Sequence, residues 1–108
     1  LVSVVTEIVP SVREIRIFGS YNNGTWNPET SDVDIFVEIN DNHYSAFNPE
    51  YDEQRVILRE KIFKKINGLY KERFDISLLS TRDVKYSVGI FAAMKSGRLL
   101  YSNKPTIN

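Results

Sequence analysis

Three aspartates carry most of the chemistry available to this chain. Asp32 and Asp34 stand one residue apart within FGSYNNGTWNPETSDVDIFVE, from Phe18 to Glu38, and Asp75 lies alone in a later apolar run. Side chains two positions apart on a strand point to the same face, so Asp32 and Asp34 project together. Paired carboxylates repel unless a cation sits between them. An all-oxygen donor set suits magnesium, which takes a few carboxylates plus phosphate oxygens and keeps some waters. With two ions roughly 3.5 to 4 Å apart, Asp32 and Asp34 would bridge both, one ion acidifying an attacking hydroxyl and the other neutralising a leaving phosphate. Asp75 completes the set if its strand adjoins theirs and turns its acidic face to the same cleft, where it could also take the acceptor proton. Upstream, Gly19-Ser20 follows an apolar run. A small turn there lets backbone N–H groups approach an anion, and Ser20 adds a hydroxyl donor. Metal ligands on one side and phosphate donors on the other point to phosphoryl or nucleotidyl transfer.

The elements that must position these groups are legible from periodicity. Leu1, Val4, Val5, Ile8, Val9 and Val12 recur at spacings of three and four, which predicts a short helix ended by Pro10. In residues 13–18, Glu14 and Arg16 alternate with Ile15 and Ile17, as on a strand packed on one face. Residues 21–30 read as an exposed loop holding Tyr21 and Trp26. Val33, Ile35, Val37 and Ile39 then alternate with Asp32, Asp34, Phe36 and Glu38, the clearest strand signal in the chain. Glu38 shares the aspartates' face but lies further along, which suggests a surface role. His43, the single histidine, falls in a polar loop and is expected to be exposed. Asn48-Pro49 reads as a helix start, with Tyr51, Leu58, Ile62 and Ile66 on one face, acids early, Lys64 and Lys65 late, and Gly68 as the stop. A third strand over residues 73–79 sets Phe74, Ile76 and Leu78 against Asp75, Ser77 and Leu79. Ser80-Thr-Arg-Asp83 resembles a capping box for a helix through Val84, Val88 and Phe91 that ends near Gly97. Residues 98–101 form a short last strand in this reading, and residues 103–108 a frayed tail.

Length and composition bound the answer. At 108 residues and 42% apolar content the chain supports one core and not two. Its 14 basic and 14 acidic residues cancel, so charge argues for neither a nucleic-acid surface nor a membrane anchor. The absence of cysteine excludes disulfides, thiolate catalysis and cysteine-zinc sites. No apolar run approaches a membrane span and the start lacks the basic flank of a signal peptide, which leads us to expect a soluble cytoplasmic protein. The chain opens on Leu1, which we read as a trimmed or processed end.

Gly19-Ser20, then Asp32-Val33-Asp34 opening a strand, then a lone Asp75 in a later strand resembles the signature of the polymerase-β-like nucleotidyltransferase superfamily. The short length and element order over residues 1–101 are similar to its minimal, single-domain nucleotidyltransferases. The resemblance implies an α/β (α+β) fold, a small mixed β-sheet flanked by helices, with residues 1–101 as the domain and 102–108 as tail. It further implies magnesium-dependent transfer of a nucleoside monophosphate from a nucleoside triphosphate, ATP favoured. Asp32, Asp34 and Asp75 would be the catalytic metal ligands and Gly19 and Ser20 the nucleotide-binding pair. Many minimal members resemble the antitoxin halves of toxin-antitoxin pairs and act on a helical HEPN-type partner protein, so a protein acceptor is favoured over nucleic acid. Relatives often carry arginine soon after Gly-Ser, whereas here Tyr21, Asn22 and Asn23 follow and the next basic residue is Arg55. A non-catalytic binding module that masks a partner surface is therefore the alternative. For the aspartates themselves the competing readings are a solvated strand edge and, for Asp75, pairing with Arg73 or Lys71.

Overall fold

The computed structural model describes residues 1–18, 32–45, 48–70, 73–87, 89, 92 and 96–103. Helix α1 (Val2–Ile8) stops where the sequence demands it, because the residue before Pro10 is pushed out of the helical region. Val9 is accordingly extended, at φ −89° and ψ 126°. Strand β1 (Val12–Phe18) follows and pairs antiparallel with β2 (Val33–Ile39). A 3-10 turn spans Asn42–Tyr44, and a second, Pro49–Tyr51, leads into helix α2 (Asp52–Ile66). The Asn48 side chain caps that second turn by accepting the Glu50 N–H, with Pro49 in the first turn, where its missing N–H costs nothing. Past α2, Asn67 and Gly68 form a type II turn closed by the Leu69 N–H on the Ile66 carbonyl. Gly68 holds the required positive φ of 82°.

Strand β3 (Phe74–Ser80) returns parallel to β2, and β4 (Arg98–Ser102) adds antiparallel to the free edge of β1. The sheet order is β3-β2-β1-β4, the mixed sheet with helices that the resemblance implied. One face of the sheet carries Ile15, Ile17, Val33, Ile35, Val37, Ile39, Ile76 and Leu78, and it packs with Val5 and Val9 near α1 and with Ile62 and Ile66 of α2. Among the described residues no helix is long and apolar enough to cross a membrane.

Helix α3 (Thr81–Tyr86) starts directly at the end of β3 with the expected capping box: Ser80 Oγ accepts from the Asp83 N–H, and Asp83 returns a bond to the Ser80 N–H. Ser45 Oγ donates to the same Asp83 carboxylate at 2.6 Å, which ties the turn after β2 to this helix. Ser80→Ala is expected to cost about 0.5–2 kcal/mol in urea unfolding. The expected helix running to Gly97 is interrupted: Ser87 is extended, at φ −99° and ψ 113°, so α3 ends at Tyr86. Val88 and Phe91, assigned to its apolar stripe, lie outside the described residues, as does the tail at 104–108.

The second face of the sheet differs most from expectation. Glu38 is 3% exposed, so the surface role expected for it is wrong. Its carboxylate accepts from Thr81 Oγ1 at 2.9 Å and lies 3.5 Å from Arg13 Nε. Opposite it in register, Glu14 is also buried and accepts from Arg16, whose guanidinium in turn donates to the Gly97 carbonyl at 2.9 Å. A side chain at Gly97 would be tight there: a Cβ would meet the Ile17 carbonyl oxygen at 3.2 Å and the Arg16 Cβ at 3.3 Å. Buried carboxylates are tolerated when paired and hydrogen-bonded, and both are.

Candidate active site

The carboxylates come together because β2 and β3 run parallel in a particular register. Val33 pairs with Phe74, so Asp34 stands beside Asp75, and the residues just before each strand, Asp32 and Arg73, also meet. Neighbouring strands lie about 4.8 Å apart. The backbone closes this end of the ladder with the Val33 N–H donating to the Arg73 carbonyl at 2.7 Å. Parity puts Asp32 and Asp34 on the same side of β2, and Arg73 and Asp75 on the matching side of β3. Phe18 of β1 is the cross-strand neighbour of Asp34 on its other flank, and its ring packs edge-on against Phe36 with centroids 3.9 Å apart. Asp34 thus sits between an aromatic wall and a second carboxylate.

The electrostatics follow from this placement. Asp34 is half-buried, and its carboxyl is held above its ordinary value, first by burial and then by the negative charges of Asp75 and Asp32. Asp32 and Asp75 are both exposed. Arg73 Nε lies 3.3 Å from Asp32 Oδ1, the pairing that the sequence reading had considered for Asp75. Among the described residues the three carboxylates outnumber this guanidinium, and their repulsion is felt at Asp34. Among the described residues no three carboxylate or imidazole side chains converge tightly enough to hold a metal ion as they stand. The donor set nonetheless fits a hard divalent cation: it is all oxygen, and the repulsion on Asp34 is what a bound cation would relieve.

Gly19 and Ser20, the expected phosphate donors, lie outside the described residues, as do Tyr21, Trp26 and Lys71. His43 is exposed as expected, but its ring lies 2.9 Å from Asp41 and stacks on Tyr51, beyond the opposite end of β2 from Asp32 and Asp34. Two groups take partners that the sequence reading did not assign them. Arg73 has the same strand parity as Asp75, and that signal was available; what it pairs with depends on the β2–β3 register. Arg55, in the first turn of α2, is buried and binds the Ser45 and Asn48 carbonyls and Asp52. Nothing in its local pattern distinguishes it from a surface arginine. A groove of about 500 Å³ opens beside the site, lined by Phe63, Lys64, Asn67, Tyr70, Arg73 and Phe74 among others.

Comparison with known proteins bears on this arrangement. The family model described as nucleotidyltransferase domain matches residues 1–99. No curated protein matches the chain. Among solved structures, a toxin-antitoxin crystallised with AMP-PNP is similar with a TM-score of 0.60 at 20% identity, over 95% of this chain and 71% of that one. A Sulfolobus solfataricus protein described as a "putative nucleotidyltransferase" is similar with a TM-score of 0.53 at 20% identity, over 94% of this chain and 74% of that one.

Proposed function

The chain belongs to the nucleotidyltransferase domain family, and on that premise we propose that it transfers a nucleoside monophosphate from a nucleoside triphosphate to a hydroxyl acceptor on a partner protein. The observation that carries this reading is Asp34 beside Asp75 in parallel register, with the Asp34 carboxyl raised first by burial and then by its acidic neighbours. Members of this family generally use divalent metals. Asp32, Asp34 and Asp75 would hold magnesium here, two ions being the expected number. Bound there, the metal would acidify the attacking hydroxyl and neutralise the departing pyrophosphate. Asp75, exposed near the start of β3, would receive the acceptor proton. Gly19 and Ser20 are assigned to the phosphates.

ATP as the nucleotide and a HEPN-type helical protein as the acceptor are the favoured specifics. A similar structure is a toxin-antitoxin holding AMP-PNP, which supports both a nucleotide and a protein partner. The test is incubation with α-labelled nucleoside triphosphates, magnesium and the protein encoded next to this one. Label on the partner, strongest from ATP, is the expected result; no labelled acceptor with any of the four triphosphates sinks the proposal. A binding module without turnover is the second reading, favoured by the exposed Val56, Ile57 and Phe63 on α2, which give a partner apolar surface. Such a module would show no magnesium-dependent affinity for ATP, so calorimetry separates the two.

A further inference from the structure

Four arginines of the sheet and α2 serve as a comparison for Arg73. Arg13 lies against Glu38, Arg16 against Glu14 and the Gly97 carbonyl, and Arg55 is buried against Asp52 and two carbonyls. Arg98 stands on β4, at the opposite edge of the sheet from β3. Arg73 differs from these because its ion-pair partner is one of the three site aspartates. From this juxtaposition we propose that Arg73 is an exchangeable counter-ion of the site: it occupies Asp32 until a divalent cation claims that carboxylate, and its released guanidinium then binds the phosphates of the nucleotide. The inference rests on the nucleotidyltransferase reading and assigns a residue to it.

Three observations support the exchange. The pair is open to solvent, with side chains 61% and 50% exposed, and an exposed ion pair is worth only about a 1.4- to 5-fold bias in equilibrium. A divalent cation facing Asp32, Asp34 and Asp75 together would outcompete it. While Asp32 is engaged by Arg73, the three carboxylates do not converge on one point, in keeping with the absence of a ready metal cage among the described residues. Finally, no lysine or arginine occurs between Arg16 and Arg55, so the loop bearing Gly19 and Ser20 brings no permanent cation to a triphosphate. A guanidinium matches phosphate oxygens with two parallel hydrogen bonds, and Arg73 stands at the edge of the same site.

The experiment measures binding, not turnover, in the wild type, Arg73→Gln, Arg73→Lys and Lys64→Gln. Lys64 lines the same groove as Arg73 and controls for the loss of one nearby positive charge. Manganese alone is titrated first, followed by electron paramagnetic resonance, and then AMP-PNP at saturating manganese, followed by calorimetry. Arg73→Gln should bind manganese about 2- to 5-fold more tightly, because its competitor is gone. The same variant should bind AMP-PNP about 10-fold or more weakly, because a charge-assisted phosphate contact is lost. Arg73→Lys should recover part of the nucleotide affinity, and Lys64→Gln should stay near wild type in both titrations. Opposite signs for metal and nucleotide are what a purely structural arginine cannot produce. The proposal is overturned if Arg73→Gln leaves either affinity unchanged, moves both the same way, or is matched by Lys64→Gln. A wild type that binds no manganese overturns the metal-site reading beneath it as well, whereas normal wild-type binding with an indifferent Arg73→Gln removes this inference alone.

Discussion

Asp34→Asn is expected to lower nucleotidyl transfer by more than about 100-fold, the upper end of what losing a supporting outer-shell partner of a metal costs, while leaving a folded protein that melts higher than wild type at neutral pH without metal. The two halves of this expectation have one cause. In the fold, the Asp34 carboxyl is raised above its ordinary value of 3.8 by burial and by the charges of Asp75 and Asp32. A raised carboxyl favours its protonated form in the folded state. Its contribution to stability is therefore fully present below the ordinary carboxylate value and is lost as pH rises through the higher folded value. At neutral pH the ionised Asp34 opposes folding, and asparagine removes that opposition at nearly constant shape. The difference in melting temperature between Asp34→Asn and wild type should be positive at pH 7 and shrink as the solution is acidified into the carboxylate range. Adding magnesium should narrow or reverse it, because a ligand that binds only the folded wild type stabilises it by mass action. Transfer that survives the substitution, or a variant that melts lower at pH 7, contradicts the placement of Asp34 at the centre of a metal site.

Ile35→Ala is expected to be the most damaging single truncation in the scaffold. Ile35 is 0% exposed, in the central part of the sheet, with Ile17 of β1 and Ile76 of β3 as its cross-strand neighbours. Removing its side chain leaves a void that strands hydrogen-bonded on both sides cannot close, so the cost should be about 2–5 kcal/mol. Against a total stability of about 5–15 kcal/mol for a natural domain, that is a large fraction. The urea midpoint should fall with the slope unchanged. Lys61→Ala, on the exposed side of α2, should stay within about 0.5 kcal/mol of wild type in the same measurement. Because Ile35 lies between Asp34 and Phe36, the same truncation tests whether the core residue beneath the site also holds the carboxylate in place. Magnesium should restore less stability to Ile35→Ala than to wild type if it does.

The parts of this protein that depend on neighbours in sequence were legible without a structure. Alternation alone put Asp32 and Asp34 on one side of β2 and Val33, Ile35, Val37 and Ile39 on the other, and the four aliphatics are all buried. Asn48-Pro49, Gly68 and the Ser80–Asp83 box worked as start, stop and cap because each acts through backbone groups within a few residues of itself. Even the grouping of Asp75 with the earlier pair could be anticipated from its parity.

What the tertiary structure decided was which side chains face one another across strands. Whether Arg73 meets Asp32 depends on the parallel register of β2 and β3, and a shift of one residue would take the two side chains out of line with each other. Glu38 has the same parity as Asp34 yet is buried and paired, because Thr81 and Arg13 close over that end of the sheet while the end at Asp32 and Asp75 stays open. The sequence by itself determined that three aspartates would share one face of a small mixed sheet, since local periodicity sets direction. Only the folded chain decided that Glu38 at one end of that face is covered while Asp32 and Asp75 at the other are exposed, since burial is set by distant segments that no local pattern encodes.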